Sequence, residues 1–255
     1  MNFTKEKTVD GVVQRDFTID HNGETVPCVI WAPEGATGQR PLVLMGHGGS
    51  QHKKTEGIRL RATRYANMHG WATLAIDAPG HGDRITREEA EALGREVGAR
   101  VRGEATGPSW TPERLKMMAE RTQRAIPEWK AALDTALSFD FVAETKTIGY
   151  WGVSMGTAIG VPFVASEARI RCAVFGLAGL RPDATDFEQA AKSITIPVQF
   201  VFQWQDAVAT HEAGIALFEA FGSKEKTMHI NPGGHMETPS FEGHAWEAFY
   251  LRHFK

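Results

Sequence analysis

The sequence predicts an α/β fold: a mostly parallel sheet of about eight strands, helices on both faces, and an antiparallel edge at its N-terminal end. Three observations carry this expectation. Past the first forty or so residues, short apolar runs alternate with helix-compatible segments, and the crossovers of about a dozen residues or more suit parallel pairing. The runs are continuously apolar, as in Pro41-Leu42-Val43-Leu44-Met45-Gly46, which is the pattern of strands buried on both faces. Ahead of them, residues 12–19 and 25–31 read as two strands around the turn His21-Asn22-Gly23, a hairpin signal.

Taken in order, the strand ending at Gly46 runs into His47-Gly48-Gly49-Ser50. Residues 55–69 place Ile58, Ala62, Tyr65 and Ala66 at helical spacing, and Gly70 stands where a helix-terminating residue belongs. Trp71–Asp77 is the next buried strand, closed by Ala78-Pro79-Gly80-His81-Gly82. The alternation then pauses. Asp83 to about Trp110 is charged, carries Gly94, Gly98 and Gly103, and ends at Gly107-Pro108-Ser109. Long structureless segments inside a compact domain are uncommon unless functional or disordered, so residues 83–111 are expected to form a lid-like insertion in a single domain spanning 1–255.

Thr111 and Pro112 then suit the N-cap and first position of a helix running to about Phe139, with a kink expected at Pro127. Strands follow at Thr147–Gly152, Cys172–Leu177, Val198–Phe202 and around Lys226–Ile230. Helices are expected after the first of these and over 184–192, 210–222 and 240–254.

Bulk properties remove whole classes of function. The net charge of −3, without a basic block, argues against nucleic acid and anionic membrane as partners. The opening Met1-Asn2-Phe3-Thr4-Lys5-Glu6-Lys7 lacks the apolar core of a secretory signal, and no later run is long enough to span a bilayer. The 2 cysteines, Cys28 and Cys172, both lie in apolar strand-like runs, which suits buried reduced thiols and a cytoplasmic location rather than a disulfide scaffold. No P-loop pattern is present. His47, His52, Asp77, His81 and Asp83 match no metal-ligand spacing, so no metal or other cofactor is expected.

The stretch with the most chemistry is Thr147-Ile148-Gly149-Tyr150-Trp151-Gly152-Val153-Ser154-Met155-Gly156. A β-branched and aromatic run turns at G-x-S-x-G and continues into small, apolar, helix-compatible residues. A serine at so tight a strand-to-helix turn sits in strained backbone, and side chains two residues either side would collide with neighbouring strands. The turn exposes Oγ and aims the helix N-terminus at the charge a reaction would develop.

A serine hydroxyl needs a base and an acid to become a nucleophile at neutral pH. Of the 10 histidines, His235, in the break Asn231-Pro232-Gly233-Gly234-His235, is the candidate base because it follows a strand at the C-terminal end of the chain. Asp206, just after the strand Val198–Phe202, is the candidate acid, with Asp186 as the second candidate. Ser154, Asp206 and His235 each follow a strand, so all three fall on one sheet edge, where ligands bind in such sheets.

With that order of nucleophile, acid and base, and with His47-Gly48-Gly49, Asp77-Ala78-Pro79-Gly80-His81-Gly82 and Gly233-Gly234-His235, the chain resembles the α/β-hydrolase superfamily from about residue 12 onward. Within it the chain is most similar to the dienelactone hydrolase-like serine esterases; its serine in place of dienelactone hydrolase's cysteine departs from a lactone-specific role. The resemblance implies an oxyanion hole made by the N–H groups of Met155 and Gly49, with Gly48 the second candidate for the latter. It implies cleavage of small carboxylic esters through an acyl-enzyme, on parts that also serve thioester, lactone and amide substrates. The rival reading is a triad-bearing small-molecule receptor. Trp110 and Trp204, with Met155, are candidate pocket residues, although aromatics at strand ends also build cores.

Overall fold

A computed structural model describes residues 3–105, 110–181 and 183–254. Its strands are β1 (Lys5–Val9), β2 (Val12–His21), β3 (Glu24–Pro33), β4 (Leu42–Gly46), β5 (Ala72–Ile76), β6 (Ile148–Val153), β7 (Ile170–Gly176), β8 (Val198–Gln203) and β9 (Lys226–Asn231). The helices are α1 (Glu56–His69), α2 (Arg87–Val101), α3 (Pro112–Leu137), α4 (Met155–Ala165), α5 (Thr185–Ser193), α6 (His211–Ala220) and α7 (Glu242–His253). One 9-stranded sheet runs in the order β1-β2-β3-β5-β4-β6-β7-β8-β9. The pairs from β1 to β5 are antiparallel, and those from β5 through β4 to β9 are parallel. This is the α/β-hydrolase architecture that the sequence predicts.

Side-chain alternation divides the core between the two faces of the sheet. In β4, Leu42 and Leu44 join Leu74, Trp129, Tyr150, Phe163 and Phe175 on one side. Val43 and Met45 join Trp31, Tyr65, Trp71, Trp151, Trp246 and Tyr250 on the other. Helices α3, α4, α5 and α6 cover the first face, and α1 and α7 the second. At the hairpin, Asn22 (φ 53°) and Gly23 (φ 77°) take the left-handed conformations that a two-residue turn between twisted strands needs.

Two elements differ from the sequence reading. The polar start contains β1, a ninth strand, paired along its length with β2 and exposed at all 5 residues. An edge strand with no buried face has no apolar pattern to announce it. The segment after Asp83 is not irregular either. Most of it is α2, a helix of 15 residues opened by a capping box in which the Thr86 side chain accepts from Glu89 N–H and the Glu89 carboxylate accepts from Thr86 N–H. Gly94 and Gly98 lie inside that helix, and Gly103 (φ 70°) follows its end. The expected break at Gly107-Pro108-Ser109 lies outside the described residues. Thr111 caps α3 by accepting from Arg114 N–H at 3.3 Å, and α3 continues across Pro127 as one helix.

Candidate active site

The turn between β6 and α4 is set by backbone contacts. Ser154 has φ 56° and ψ −118°, a conformation L-residues rarely adopt. The glycines two residues to either side make room for it: a Cβ on Gly152 would lie 2.7 Å from Gly156 O, and one on Gly156 would lie 2.5 Å from Gly46 O. Ser154 N–H donates to Gly176 O at 2.9 Å, tying the turn to β7. The Thr157 hydroxyl sits between Gly152 O (2.9 Å), Gly176 O (2.6 Å) and Gly176 N–H (2.8 Å), and Tyr150 Oη donates to Gly156 O at 2.7 Å. These bonds engage the carbonyls of Gly152, Gly156 and Gly176 inside the core, where unpaired ones would be costly.

Two further strand-end loops meet this serine. His235, in the loop after β9, lies with Nε2 2.9 Å from Ser154 Oγ and Nδ1 2.8 Å from Asp206 Oδ2. Asp206, in the loop after β8, uses its other oxygen to accept from Val208 N–H (2.7 Å) and Ala209 N–H (3.2 Å). The Asp206 and His235 side chains are buried, while Ser154 stays partly open. Three N–H donors converge on the buried carboxylate, which holds the imidazole in one orientation. Asp186 lies on α5, exposed at the cavity wall; among the described residues it is Asp206 that bonds His235.

The loop after β4 is braced from below. His47 is buried; Nδ1–H donates to Gly48 O at 2.9 Å, and Nε2 accepts from Ala78 N–H at 3.0 Å. Burial pushes its pKa down to about 4, so it stays neutral and serves as a strut between two loops. Its neighbour His81, ring centroids 5.3 Å apart, is pushed down to about 3 by burial. Gly48 N–H donates to Gln51 Oε1 at 3.1 Å, while Gly49 borders the cavity beside Ser154, Met155 and His235. Met155 is the first residue of α4, so its N–H has no partner within the helix.

Above these groups opens a cavity of about 740 Å³. Its floor is Ser154, Met155 and His235, and its roof is α2, through Leu93, Val97 and Val101, and α3, through Met118, Arg121 and Ile126. Leu93, Val97 and Val101 recur every four residues, the helical stripe that, with the capping box, marks α2 in the sequence. Trp110 borders the cavity and stacks under Arg181, whose Cζ lies 4.8 Å from the ring centroid. Trp204 does not border it; the side chain is half exposed and packs edge-on against His211, with centroids 4.1 Å apart. That pocket expectation is corrected: the β8 end turns the indole outward.

Among the described residues no group of three or more His, Cys, Asp or Glu is gathered as a metal-ligand set, and no helix is long and apolar enough to cross a membrane. No protein-family model matches the sequence, and no curated protein matches it. Solved structures do. A cold-adapted esterase from an Arctic intertidal metagenomic library, in a PEG-bound complex, is 34% identical, with 100% of both chains covered and a TM-score of 0.81. The chain belongs to the α/β-hydrolase superfamily.

Other α/β-hydrolases share the fold at lower identity. An acetyl xylan esterase from Paenibacillus sp. R4 is 17% identical with a TM-score of 0.74, covering 99% of this chain and 87% of its own. A dienelactone hydrolase from Anabaena variabilis is 19% identical with a TM-score of 0.64, covering 96% and 100%.

Proposed function

We propose that this α/β-hydrolase is a carboxylesterase that works through an acyl-enzyme on Ser154. The observation that carries this reading is the unbroken hydrogen-bond chain from Ser154 Oγ through His235 to Asp206 at the floor of the cavity. The similarity to an esterase over the full chain supports the same class of reaction. His235 Nε2 takes the Oγ proton as Ser154 attacks the ester carbonyl, then passes it to the departing alkoxide. Water repeats the sequence on the acyl-enzyme and releases the acid. Asp206 holds the tautomer and stabilises the imidazolium without taking the proton.

The oxyanion is received by Met155 N–H and Gly49 N–H. Gly48 is less suited because its N–H is already given to Gln51. We assign α2 and the first turns of α3 the role of a lid that shapes the acyl pocket within a single hydrolase domain, since both helices border the cavity. A cytoplasmic location fits the two buried free thiols, which burial makes hard to ionise. The test is labelling by a fluorophosphonate probe, mapped by peptide mass analysis, together with turnover of p-nitrophenyl acetate. Labelling at Ser154 with turnover is expected. A protein that binds esters without labelling or turnover is a receptor, and the reading fails.

A further inference from the structure

Among the described residues, most arginines drawn away from solvent have an acidic, carbonyl or aromatic partner. Arg84 pairs with Glu128, Arg64 with Glu247, and Arg169 with Glu167 and Asp134. Arg40 donates to three backbone carbonyls, and Arg61 lies between the indoles of Trp151 and Trp246. Arg121 on α3 and Arg181 after β7, neither paired with a carboxylate among the described residues, both border the cavity above Ser154.

Among the described residues, the acceptors of Arg121 are two thioethers: Met155 Sδ at 3.6 Å from Nη1 and Met117 Sδ at 3.9 Å from Nη2. Thioethers are weak acceptors, so this half-buried permanent cation has no strong acceptor or counter-charge bonded to it among the described residues. Arg181 stacks on Trp110, and its buried Nε has no hydrogen-bond partner among the described residues. The acids near them do not fill the gap. Glu96 is already taken by Arg114 at 2.5 Å and Arg100 at 3.5 Å, and Asp183 and Asp186 are exposed at the rim. Withdrawing a guanidinium from water beside apolar walls is costly unless something returns the lost interactions. A bound anion would do so, and a carboxylate matches the planar fork of arginine.

We propose that the cavity selects esters carrying a second, free carboxylate, which Arg121 holds with Arg181 while the ester carbonyl lies at Ser154. The simplest such substrates are monoesters of dicarboxylic acids, cleaved by water to the dicarboxylate and the alcohol. This rests on the esterase reading above. Met155 joins the two sites physically: its N–H is the oxyanion donor of that reading, and its sulfur touches Arg121.

The experiment compares kcat/KM for two matched pairs: monomethyl adipate against methyl hexanoate, with the charge on the acyl side, and 6-acetoxyhexanoate against hexyl acetate, with the charge on the alcohol side. The charged member of at least one pair is expected to be preferred. Arg121→Gln should lower that preference by about 10- to 100-fold, the range for hydrogen bonds to a charged group. Arg121→Lys should keep part of it, and Arg124→Gln, on the outward side of α3, should leave the ratio unchanged. Inhibition of the unaltered protein by adipate more strongly than by hexanoate is the arm that needs no variant. Esters hydrolysed with no preference for charge, and adipate no better than hexanoate, would overturn the proposal while leaving the esterase reading intact. No hydrolysis of any ester and no probe labelling of Ser154 would overturn both.

Discussion

The β6–α4 turn and the α2–α3 roof face each other across one cavity, yet opposite kinds of interaction build them. The turn is held by backbone: a serine at positive φ, glycines where a Cβ would come within 3 Å of a carbonyl oxygen, and the Thr157 hydroxyl joining two strands. The roof has side-chain contacts instead. Helix α2 has no fully buried residue, and its ties to α3 include the exposed pair Glu96–Arg114. A residue in strained backbone must be over-determined by its surroundings, so Ser154 sits where close packing leaves no alternative. A roof that shapes a pocket gains nothing from such rigidity, and exposed ion pairs contribute about 0–1 kcal/mol each.

The contrast is open to direct attack. The largest effect is expected at the turn's chemistry: Ser154→Ala and His235→Ala should each lower kcat by about 10⁴–10⁶, and the double variant by little more, because such residues act as a unit. Additive losses in steady-state kinetics would refute the assignment. Asp206→Asn should also be severe; a greater loss in Asp186→Asn would move the acid to α5.

Next comes the turn's packing. Gly156→Ala places a methyl 2.5 Å from the carbonyl oxygen of Gly46, a backbone atom that cannot turn aside. It should destabilise the fold by about 1–3 kcal/mol or more, as overpacking does, in denaturant unfolding. Gly94→Ala in α2, where a Cβ meets nothing within 4 Å, should instead be neutral or stabilise by up to about 1 kcal/mol. Equal effects at the two glycines would erase the distinction between turn and roof.

Replacing residues 87–104 with a short Gly/Ser linker should leave the core folded, since loop length costs little, while changing the relative kcat/KM of short and long acyl esters several-fold. An unchanged ratio would deny α2 any part in selectivity. A last effect concerns pH. His47 and His81 are held neutral with pKa values of about 4 and about 3, below the ordinary 6.5. The unfolded chain therefore takes up protons first as pH falls. Stability contributed by these residues is complete above about pH 6.5 and is lost towards pH 4, by up to about 1.4 kcal/mol per pH unit for each imidazole. Thermal unfolding of His47→Gln should show a shallower decline over that interval.

Sequence alone determined whatever depends on local pattern: the doubly buried strands, the Gly70 and Thr111 helix ends, the Asn22-Gly23 turn, and the glycines around Ser154. Each is a short-range demand that few residue types satisfy, so it is written where it acts. The order of strand ends also brought Ser154, Asp206 and His235 to one edge before any coordinates. Tertiary structure decided the rest. Lys5–Val9 became a strand only because β2 offered an open edge, and Trp204 faced outward because of the path β8 takes. In α2, two glycines and a dense run of charge masked a capping box and a stripe of Leu93, Val97 and Val101 whose purpose appears only when α3 stands beside it. Arg121 is the clearest case. On α3 it reads as one more surface cation, and nothing within a few residues separates it from Arg124. Its lack of a carboxylate partner among the described residues is a relation between α3 and α4 across the cavity, and the sequence of a single helix cannot carry it.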